Sequence, residues 1–415
     1  MKVFKFGGAS LKNPDGIRNV ASIVLASPSE LLVVVSAMGK TTDMLERICH
    51  LSNTGQEYAS TLESLVKYHT DTVASLFPDP TDVTAAISLA VNNMVAELRK
   101  GGDADQVYDQ VVSYGEILSS IIVYHYLRVQ HAPTIWIDAR EYVSTDNTFR
   151  EGKVDWKKTS DNIAVLRDKL KSHVIITQGF IGRTSDNLTT TLGREGSDYT
   201  AAIFTASLHA DSLTIWKDVA GVMNADPRKY PNPIIFEELP FKEAAEMTYY
   251  GASVIHPKTI KPLANKLIPL FVKNFEDPSL PGTKIHECVV DRLPPLIVWK
   301  ENQCLVSCKV TDYTFISEDQ LRQIFTTLME LGIRINVMQN SAITFSFCID
   351  FRESKLTKLI ARLQPSFEVF YNTGLTLITV KNYDTATFEK FRKLPGVLLE
   401  QSSRSTLQVL VRKTT

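Results

Sequence analysis

Strand-like and helix-like segments alternate as far as residue 290 of this 415-residue chain, and this alternation limits the possible folds more than any other feature. Leu31–Ser36 begins as an unbroken run of Leu and Val, as expected of a strand buried on both faces. A helix pattern from Pro14 separates it from an earlier strand at Val3–Phe6. Further strands are predicted at Thr134–Ile137, His173–Thr177 and Ser212–Trp216, and helices at 57–130 and Tyr199–Leu208. This order predicts an α/β domain with a mainly parallel sheet and helices on both faces.

Prolines mark a domain boundary near the end of that region. Between Pro278 and Pro295 several prolines and a Pro-Gly pair interrupt the alternation, so the first domain is predicted to span residues 1–290. From 300 to 374 the order strand–helix–strand–strand–helix–strand predicts a ferredoxin-like unit. A second pass through 375–415, strand–helix–strand–strand, predicts a shorter copy of the same fold.

The charge balance excludes several classes of protein. Lys and Arg number 45 and Asp and Glu 46, and this net charge of −1 argues against a broad nucleic-acid surface, which needs clustered basic residues. No apolar run approaches the ~18 residues of a membrane span, and the N-terminal sequence does not resemble a signal peptide. Five cysteines, an odd number, suggest reduced thiols, and no Cys or His spacing indicates a metal site. We therefore expect a cytoplasmic protein that binds neither nucleic acid nor membranes.

Two loops of small residues follow the first two predicted strands. In Lys5-Phe6-Gly7-Gly8 the glycines would let the backbone approach an anion and Lys5 adds positive charge, although a tight turn with a surface lysine fits equally well. Ser36–Asp43 resembles the end of a Walker A loop. A Walker A loop needs glycine five residues before Gly39, where this chain has Val34, so a P-loop NTPase is rejected. What remains is a polar loop at the carboxyl end of a strand, where α/β sheets bind ligands.

Two later clusters carry charge. Thr189–Asp198 combines threonines and glycines with Arg194 and a predicted helix start capped by Ser197, which together suit an anionic ligand better than a plain capped helix. Trp216–Arg228 joins a strand to turn residues, acids and bases, which fits nucleotide contact and a turn-rich loop equally well. Several anion-binding loops on one sheet match phosphoryl transfer, which depends on positioning and charge neutralisation. A dehydrogenase and a serine hydrolase are disfavoured, because neither Gly-x-Gly-x-x-Gly nor Gly-x-Ser-x-Gly is present.

Six segments occur in the order and spacing of the aspartate kinases, and the chain resembles that family over essentially its whole length. They are Lys5–Ser10, Val34–Asp43, Tyr114–Glu116, Thr177–Gly182, Thr191–Ala202 and Asp226–Arg228. The resemblance implies the three-layer α/β/α amino-acid-kinase fold followed by tandem ACT regulatory domains. It also implies transfer of the γ-phosphoryl group of ATP to the β-carboxylate of L-aspartate. The product, 4-phospho-L-aspartate, begins lysine, threonine and methionine biosynthesis.

The resemblance also implies roles for single residues. Lys5 would meet the transferring phosphoryl group, and Asp198 would hold Lys5 as its ion-pair partner. Arg194 would bind a substrate carboxylate, and Glu116 would pair with the aspartate ammonium. The other positions that match the aspartate pocket are Ser36, Thr42, Phe180, Gly196 and Ser197, and those that match ATP contacts are Phe6, Gly7, Gly8, Lys217, Asp218, Met223, Arg228 and Ser253. Mg²⁺ would be held mainly by the phosphates.

Some positions depart from the family pattern. Lys217 stands where a threonine is usual, Met223 where a tyrosine commonly contacts the nucleotide, and Ser253 where a lysine is frequent. Lys217 or Lys258 could supply the missing charge.

The regulatory half departs further from the family. Met338 replaces the aspartate of lysine-sensing members, so weak or absent lysine inhibition is expected. Because ACT units commonly pair edge to edge, a homodimer is expected. The alternatives are another amino-acid kinase, acting on acetylglutamate, glutamate or uridylate, and a catalytically silent amino-acid sensor. The tandem ACT pattern disfavours the first, and the intact charged site residues disfavour the second.

Overall fold

The computed structural model describes residues 1–27, 30–252, 255–311 and 314–412. It shows a mixed, mainly parallel sheet near the N terminus and an antiparallel sheet near the C terminus, as the sequence predicts. None of the helices within these ranges is long and apolar enough to cross a membrane.

The chain divides into two compact units. The first contains Met1–Val222, Ile235–Ala245 and the stretch that ends at Val290. The second contains Met223–Ile234, a short stretch that begins at Glu246, and the residues from Asp291 onward. Sequence analysis places both short segments in the first domain, because no change of composition marks them.

An eight-stranded sheet forms the centre of the first unit. The strands of this unit are β1 (Lys2–Phe6), β2 (Leu31–Val35), β3 (Thr134–Trp136), β4 (Val174–Gln178), β5 (Ile181–Arg183), β6 (Thr189–Thr191), β7 (Ser212–Lys217), β8 (Glu238–Pro240), β9 (Leu270–Asn274) and β10 (Thr283–His286). The sheet order is β3-β4-β2-β1-β7-β9-β10-β8, and every neighbouring pair is parallel except β9 with β10. A separate antiparallel hairpin pairs β5 with β6, which sequence analysis does not predict.

The middle of this sheet is its most apolar part. All five residues of β2 are buried, as the Leu/Val run predicts, and β1 lies between β2 and β7. In this register Phe6 stands beside both Val35 and Trp216. Because parallel strands end at the same edge, the loops that follow β1, β2 and β7 meet there.

Helices cover the strands of the first unit and connect them. They are α1 (Pro14–Leu25), α2 (Thr41–Asn53), α3 (Ala59–Leu76), α4 (Thr81–Lys100), α5 (Ala104–Val112), α6 (Tyr114–Val129), α7 (Trp156–Ala164), α8 (Leu166–Leu170), α9 (Gly196–Leu208), α10 (Phe241–Tyr250) and α11 (Pro257–Ala264). Helix α9 is buried at every residue except Tyr199, as expected of a helix enclosed on all sides. It therefore holds its N-terminal residues in a fixed position at the sheet edge.

The second unit is built on a six-stranded antiparallel sheet. Its elements are β11 (Leu296–Lys309), α12 (Glu318–Glu330), β12 (Ile335–Asn340), β13 (Thr344–Asp350), α13 (Glu353–Leu363), β14 (Glu368–Lys381), α14 (Thr385–Arg392), β15 (Val397–Ser402) and β16 (Thr406–Arg412). The strand order is β12-β13-β11-β14-β16-β15. These elements follow the predicted order except at one point, and they form two ferredoxin-like units. The last strand predicted for the first copy and the first strand predicted for the second are one continuous strand, β14.

The two ferredoxin-like units share their longest strands. Strands β11 and β14 each have 14 residues, and their register shifts between Lys300 and Gln303. Strand β11 pairs with β14 on both sides of the shift. After the shift β11 also pairs with β13, whereas its first part, Leu296–Lys300, pairs with the end of β14. The second ferredoxin-like unit, predicted as a short copy over 375–415, thus also uses a strand segment that precedes the first ferredoxin-like unit in the chain. Reading the chain in order could not reveal this, because one continuous strand serves both units.

Candidate active site

A cavity of about 620 Å³ opens where β1, β2 and the start of α9 meet. It brings together residues that are far apart in the sequence. Lys5 and Lys217 lie at or near the ends of β1 and β7, Glu116 lies on α6, and the remaining residues come from the loops between elements and from the starts of α2 and α9. Those of the predicted site that line it are Lys5, Gly8, Ser36, Thr42, Glu116, Phe180, Arg194, Gly196, Ser197, Asp198 and Lys217. We call this cavity the cleft.

Two lysines share one buried carboxylate in the cleft. Lys5 Nζ lies 2.7 Å from Asp198 Oδ1, and Lys217 Nζ lies 3.5 Å from Asp198 Oδ2. The side chains of Lys5 and Asp198 are only 10% and 4% exposed. Burial raises the pKa of the Asp198 carboxyl, but the two lysines outweigh burial and hold that pKa below its usual value. The two lysines on this carboxylate place positive charge where an anion can bind.

Glu116 provides a buried acid on another wall of the cleft. Its Oε1 accepts a hydrogen bond of 3.2 Å from the Ala37 N–H, while its Oε2 is buried with no hydrogen-bond partner among the described residues. Burial raises the pKa of Glu116 to about 8, although the Ala37 N–H and the charge of Lys5 act in the opposite direction. Glu116 is therefore mostly protonated at pH 7, and a cation that reaches Oε2 would favour its ionised form.

The start of α9 supplies donors to the same cleft. The predicted N-cap at Ser197 is wrong, because the helix already begins at Gly196 and Glu195 is the N-cap, with φ 55° and no capping hydrogen bond from its side chain. Arg194 is exposed, and within the described part of the chain its guanidinium has no ion-pair partner. A free guanidinium beside the N-terminus of a buried helix is suited to a carboxylate or a phosphate.

Two glycines allow the walls of the cleft to approach each other. A Cβ on Gly8 would lie 2.7 Å from the Ala37 carbonyl oxygen, so only glycine lets the loop after β1 pack on the loop after β2. A Cβ on Gly196 would lie 2.6 Å from the Phe180 ring. Phe180 itself has φ 70°, and its N–H donates a hydrogen bond of 2.9 Å to Thr200 Oγ1 on α9. These contacts fix Phe180 against the helix start.

Some predicted nucleotide contacts lie elsewhere. The Phe6 side chain is fully buried and stacks on Trp216 with ring centroids 6.1 Å apart, so it belongs to the core. Asp218 is exposed, and Arg228 pairs with Asp226 at 2.8 Å. Gly7 does not line the cleft, and Met223 belongs to the second compact unit, as does Arg228. Ser253 is outside the described residues. Within the described ranges, no three His, Cys, Asp or Glu side chains are grouped to hold a metal ion.

Sequence analysis misses one wall of the cleft, which contains Tyr108, Arg150 and Glu151. Asp109 holds this wall, since its buried Oδ2 accepts from the N–H groups of Arg150 and Thr191 at 2.9 and 2.8 Å. The Arg150 guanidinium lies 3.9 Å from the centre of the Tyr108 ring and pairs with Asp105. No spacing or motif in the sequence indicates this arrangement, because it depends on Arg150 having φ 65°.

Residues 1–274 match the model of the amino acid kinase family. The chain belongs to that family. Among members of the amino acid kinase family, lysine-sensitive aspartokinase 3 of Escherichia coli is 30% identical over 92% of this chain and 87% of that protein. Bifunctional aspartokinase/homoserine dehydrogenase 1 of Arabidopsis thaliana is also 30% identical, over 95% of this chain but 45% of that protein. The chain thus spans less than half the length of such bifunctional relatives.

A solved structure of the same family has a closely similar fold. Aspartokinase III of Escherichia coli, in a complex with aspartate and ADP, superimposes with a TM-score of 0.85 at 28% identity. The superposition covers 99% of this chain and 96% of that one. Within the amino acid kinase family, the chain therefore belongs with the aspartokinases.

Proposed function

We propose that the protein is an aspartate kinase, which transfers the γ-phosphoryl group of ATP to the β-carboxylate of L-aspartate. The observation that carries the proposal is the set of charges in the cleft. Two lysines on one carboxylate, a free arginine and a buried acid complement the phosphate, carboxylate and ammonium groups of these two substrates. The aspartokinase relatives support the same activity.

The transfer step needs little from a general base. The β-carboxylate is ionised at neutral pH, so its oxygen attacks the γ-phosphorus directly while the bond to the leaving oxygen of ADP breaks. The obstacle is repulsion between two anions. Lys5 and Lys217 lie on the buried Asp198 carboxylate and lower this repulsion by placing positive charge where the phosphoryl group passes. Because Asp198 holds both lysines, they need not reorganise during the reaction.

Substrate orientation depends on Arg194 and Glu116. Arg194 binds the α-carboxylate of aspartate through its planar guanidinium, and Glu116 Oε2 accepts from the ammonium group. Together they leave the β-carboxylate directed towards Lys5. The pocket is completed by Ser36, Thr42, Phe180, Gly196 and Ser197.

The nucleotide is bound by the loops after β1 and β7. Gly7 and Gly8 offer backbone N–H groups to the phosphates, and Lys217 supplies charge that the family usually takes from other positions. Asp218, Met223, Arg228 and Ser253 complete the ATP contacts in this proposal, with Phe6 contributing its backbone. Mg²⁺ would be held mainly by the ATP phosphates, because both oxygens of Asp198 already face lysines. The metal would neutralise phosphate charge during the transfer.

Regulation belongs to the second unit. We propose an amino-acid effector site on its ferredoxin-like sheet and a homodimer formed by pairing of such sheets. Met338, which is 48% exposed on β12, offers no charge to a lysine ammonium, so lysine inhibition is weak or absent.

Trapping of the acyl phosphate tests the activity. The protein is incubated with Mg-ATP, L-aspartate and hydroxylamine, and aspartyl hydroxamate is measured. Hydroxamate that depends on both substrates is expected. If acetylglutamate, glutamate or uridylate is phosphorylated instead, the chain is another amino-acid kinase. If none is phosphorylated although an amino acid still binds, it is a silent sensor, and the proposal is wrong.

A further inference from the structure

A second cavity, of about 540 Å³, lies on the face of β1, β7 and β9 opposite to Lys5 and Lys217. Its floor consists of one residue from each of these three strands, Phe4, Trp216 and Phe271. Because successive side chains of a strand point to opposite faces, Lys5 and Lys217 cannot reach it. The cavity has the volume and the mainly apolar lining that are typical of small-molecule sites.

A residue on the lining of this cavity has a buried donor without a partner. Trp216 is 5% exposed, yet its indole Nε1 has no hydrogen-bond partner among the described residues. Buried indole N–H groups usually donate to an acceptor, since an unsatisfied buried donor costs about 1–3 kcal/mol. The hydroxyl of Ser27, also on the lining, is buried and unsatisfied within the described part of the chain. Both groups can donate to an acceptor oxygen that a ligand brings.

The rim of the cavity carries positive charge. Lys273 Nζ lies 5.7 Å from the centre of the Trp216 ring, and Lys2 has no ion-pair partner among the described residues. The one carboxylate of the lining, Asp211, is already paired with the Met1 ammonium at 2.7 Å. The rim therefore favours an anion, while the aromatic floor favours an apolar body.

We propose that this cavity binds a small carboxylate with an aromatic or branched apolar body. The carboxylate lies near Lys273 and Lys2 and accepts from the Trp216 N–H, and the apolar body packs on Phe4 and Phe271. The site is separate from the cleft and does not depend on the proposed kinase activity.

Calorimetric titration of the whole chain, without substrates, tests the proposal. The probes are 3-phenylpropionate, its neutral amide and 3-phenylpropylamine, which share one apolar body and differ in charge. We expect the acid to bind with one-to-one saturation, the amide more weakly, and the amine not at all. Added salt should weaken binding of the acid, because the lysines are partly exposed.

Variants locate the binding. Trp216→Phe removes the N–H but keeps an aromatic ring, and Lys273→Met removes the charge but keeps the stem. Each should weaken binding of 3-phenylpropionate roughly three- to tenfold, as expected for loss of one hydrogen bond or one charge. Trp299→Phe in the second unit and Asp198→Asn in the cleft are matched controls that should leave the affinity unchanged.

Three results would overturn the proposal. The first is no saturable binding of the acid, and the second is equal affinity for the acid, the amide and the amine. The third is a chain that self-associates in sedimentation experiments and dissociates on Lys273→Glu, because a second copy would then cover this face. If circular dichroism shows that Trp216→Phe does not fold, Lys273→Met and the salt series still test the proposal.

Discussion

Two polar clusters, one in the cleft and one in the second unit, contain similar side chains. They differ in whether these side chains satisfy one another's hydrogen bonds and charges. In the cleft, Glu116 Oε2 is buried without a partner and Arg194 is free among the described residues. In the second unit, Gln303 is 1% exposed, and its Nε2 donates to Asp350 while its Oε1 accepts from Asn336 at 2.6 Å.

A lysine also satisfies the acceptors of the second cluster. Lys300 lies 2.9 Å from the Asp350 carboxylate and donates to Asn336 Oδ1 at 2.8 Å. Burial raises the pKa of Asp350, but the hydrogen bonds from Lys300, Gln303 and Asn336 hold that pKa below its usual value. A polar cluster whose groups satisfy one another stabilises a fold, here at the register shift of β11, whereas a cluster with unsatisfied groups can bind a ligand.

Removing the Lys5 charge from the cleft should have the largest effect on activity. Lys5→Met leaves Asp198 with one lysine and takes charge from the phosphoryl path, so we expect kcat to fall about 10³-fold in the hydroxamate assay. Lys12→Met, a change at an exposed lysine after the same strand, is the matched control and should retain activity. Equal activity of the two variants would show that Lys5 is only structural.

Lys217 should affect nucleotide binding more than turnover. Lys217 is the last residue of β7, and its ammonium group lies 3.5 Å from Asp198, farther than that of Lys5. Lys217→Met is expected to raise the KM for ATP about tenfold, the usual cost of one charged contact, with a smaller change in kcat. An unchanged KM for ATP would exclude Lys217 from the role that we propose.

Glu116 should make aspartate binding depend on pH. Its pKa of about 8 means that the empty protein must lose a proton before Oε2 can pair with an ammonium. The KM for aspartate should therefore fall about fivefold between pH 7 and pH 8 and about twofold more above pH 8. Glu116→Gln should raise this KM and make it independent of pH. A variant that keeps the wild-type pH profile would contradict the assignment.

The same pKa has a consequence for stability. A carboxyl whose pKa is raised on folding contributes stability below its unfolded pKa of 4.5, and this contribution is lost as pH rises towards 8. Chemical denaturation at pH 5 and at pH 8.5 measures how far the free energy of unfolding falls between these pH values. This fall should be smaller for Glu116→Gln than for the wild type.

The cluster around Gln303 in the second unit should respond in the opposite way, with a loss of stability and no loss of activity. Gln303→Leu leaves Asn336 and Asp350 without a buried partner, so we expect a loss of about 1–3 kcal/mol in the free energy of unfolding of the second unit. Its kcat should match that of the wild type. Lys358→Ala, at an exposed position of α13, serves as the control for denaturation. A loss of activity at unchanged stability would show that this cluster has a functional role.

The smallest expected effect is that of lysine. With Met338 where a charged partner would be needed, saturating L-lysine should change the activity less than about twofold, below the coupling that is typical of allosteric effectors. Strong and specific inhibition by lysine would refute this expectation, and threonine and methionine titrated in parallel test other effectors.

Much of the architecture could be predicted, because it follows from local patterns. The Leu/Val run of β2 and the strand–helix order indicate a parallel sheet, and glycines after β1 indicate a close backbone approach. The wall held by Asp109 could not be predicted, because Asp109 meets Thr191 across 82 positions and Arg150 adopts φ 65°. The cap at Glu195 was missed for a similar reason, since φ 55° is rare for glutamate.

The count of protons exchanged when L-aspartate binds tests the central claim most directly. Titration calorimetry at pH 7 in buffers of different ionisation enthalpy measures this number for the wild type and for Glu116→Gln. A pKa of about 8 predicts release of about 0.9 proton by the wild type and none by the variant. Aspartate binding without proton release by the wild type would contradict the claim that Glu116 Oε2 awaits the substrate ammonium.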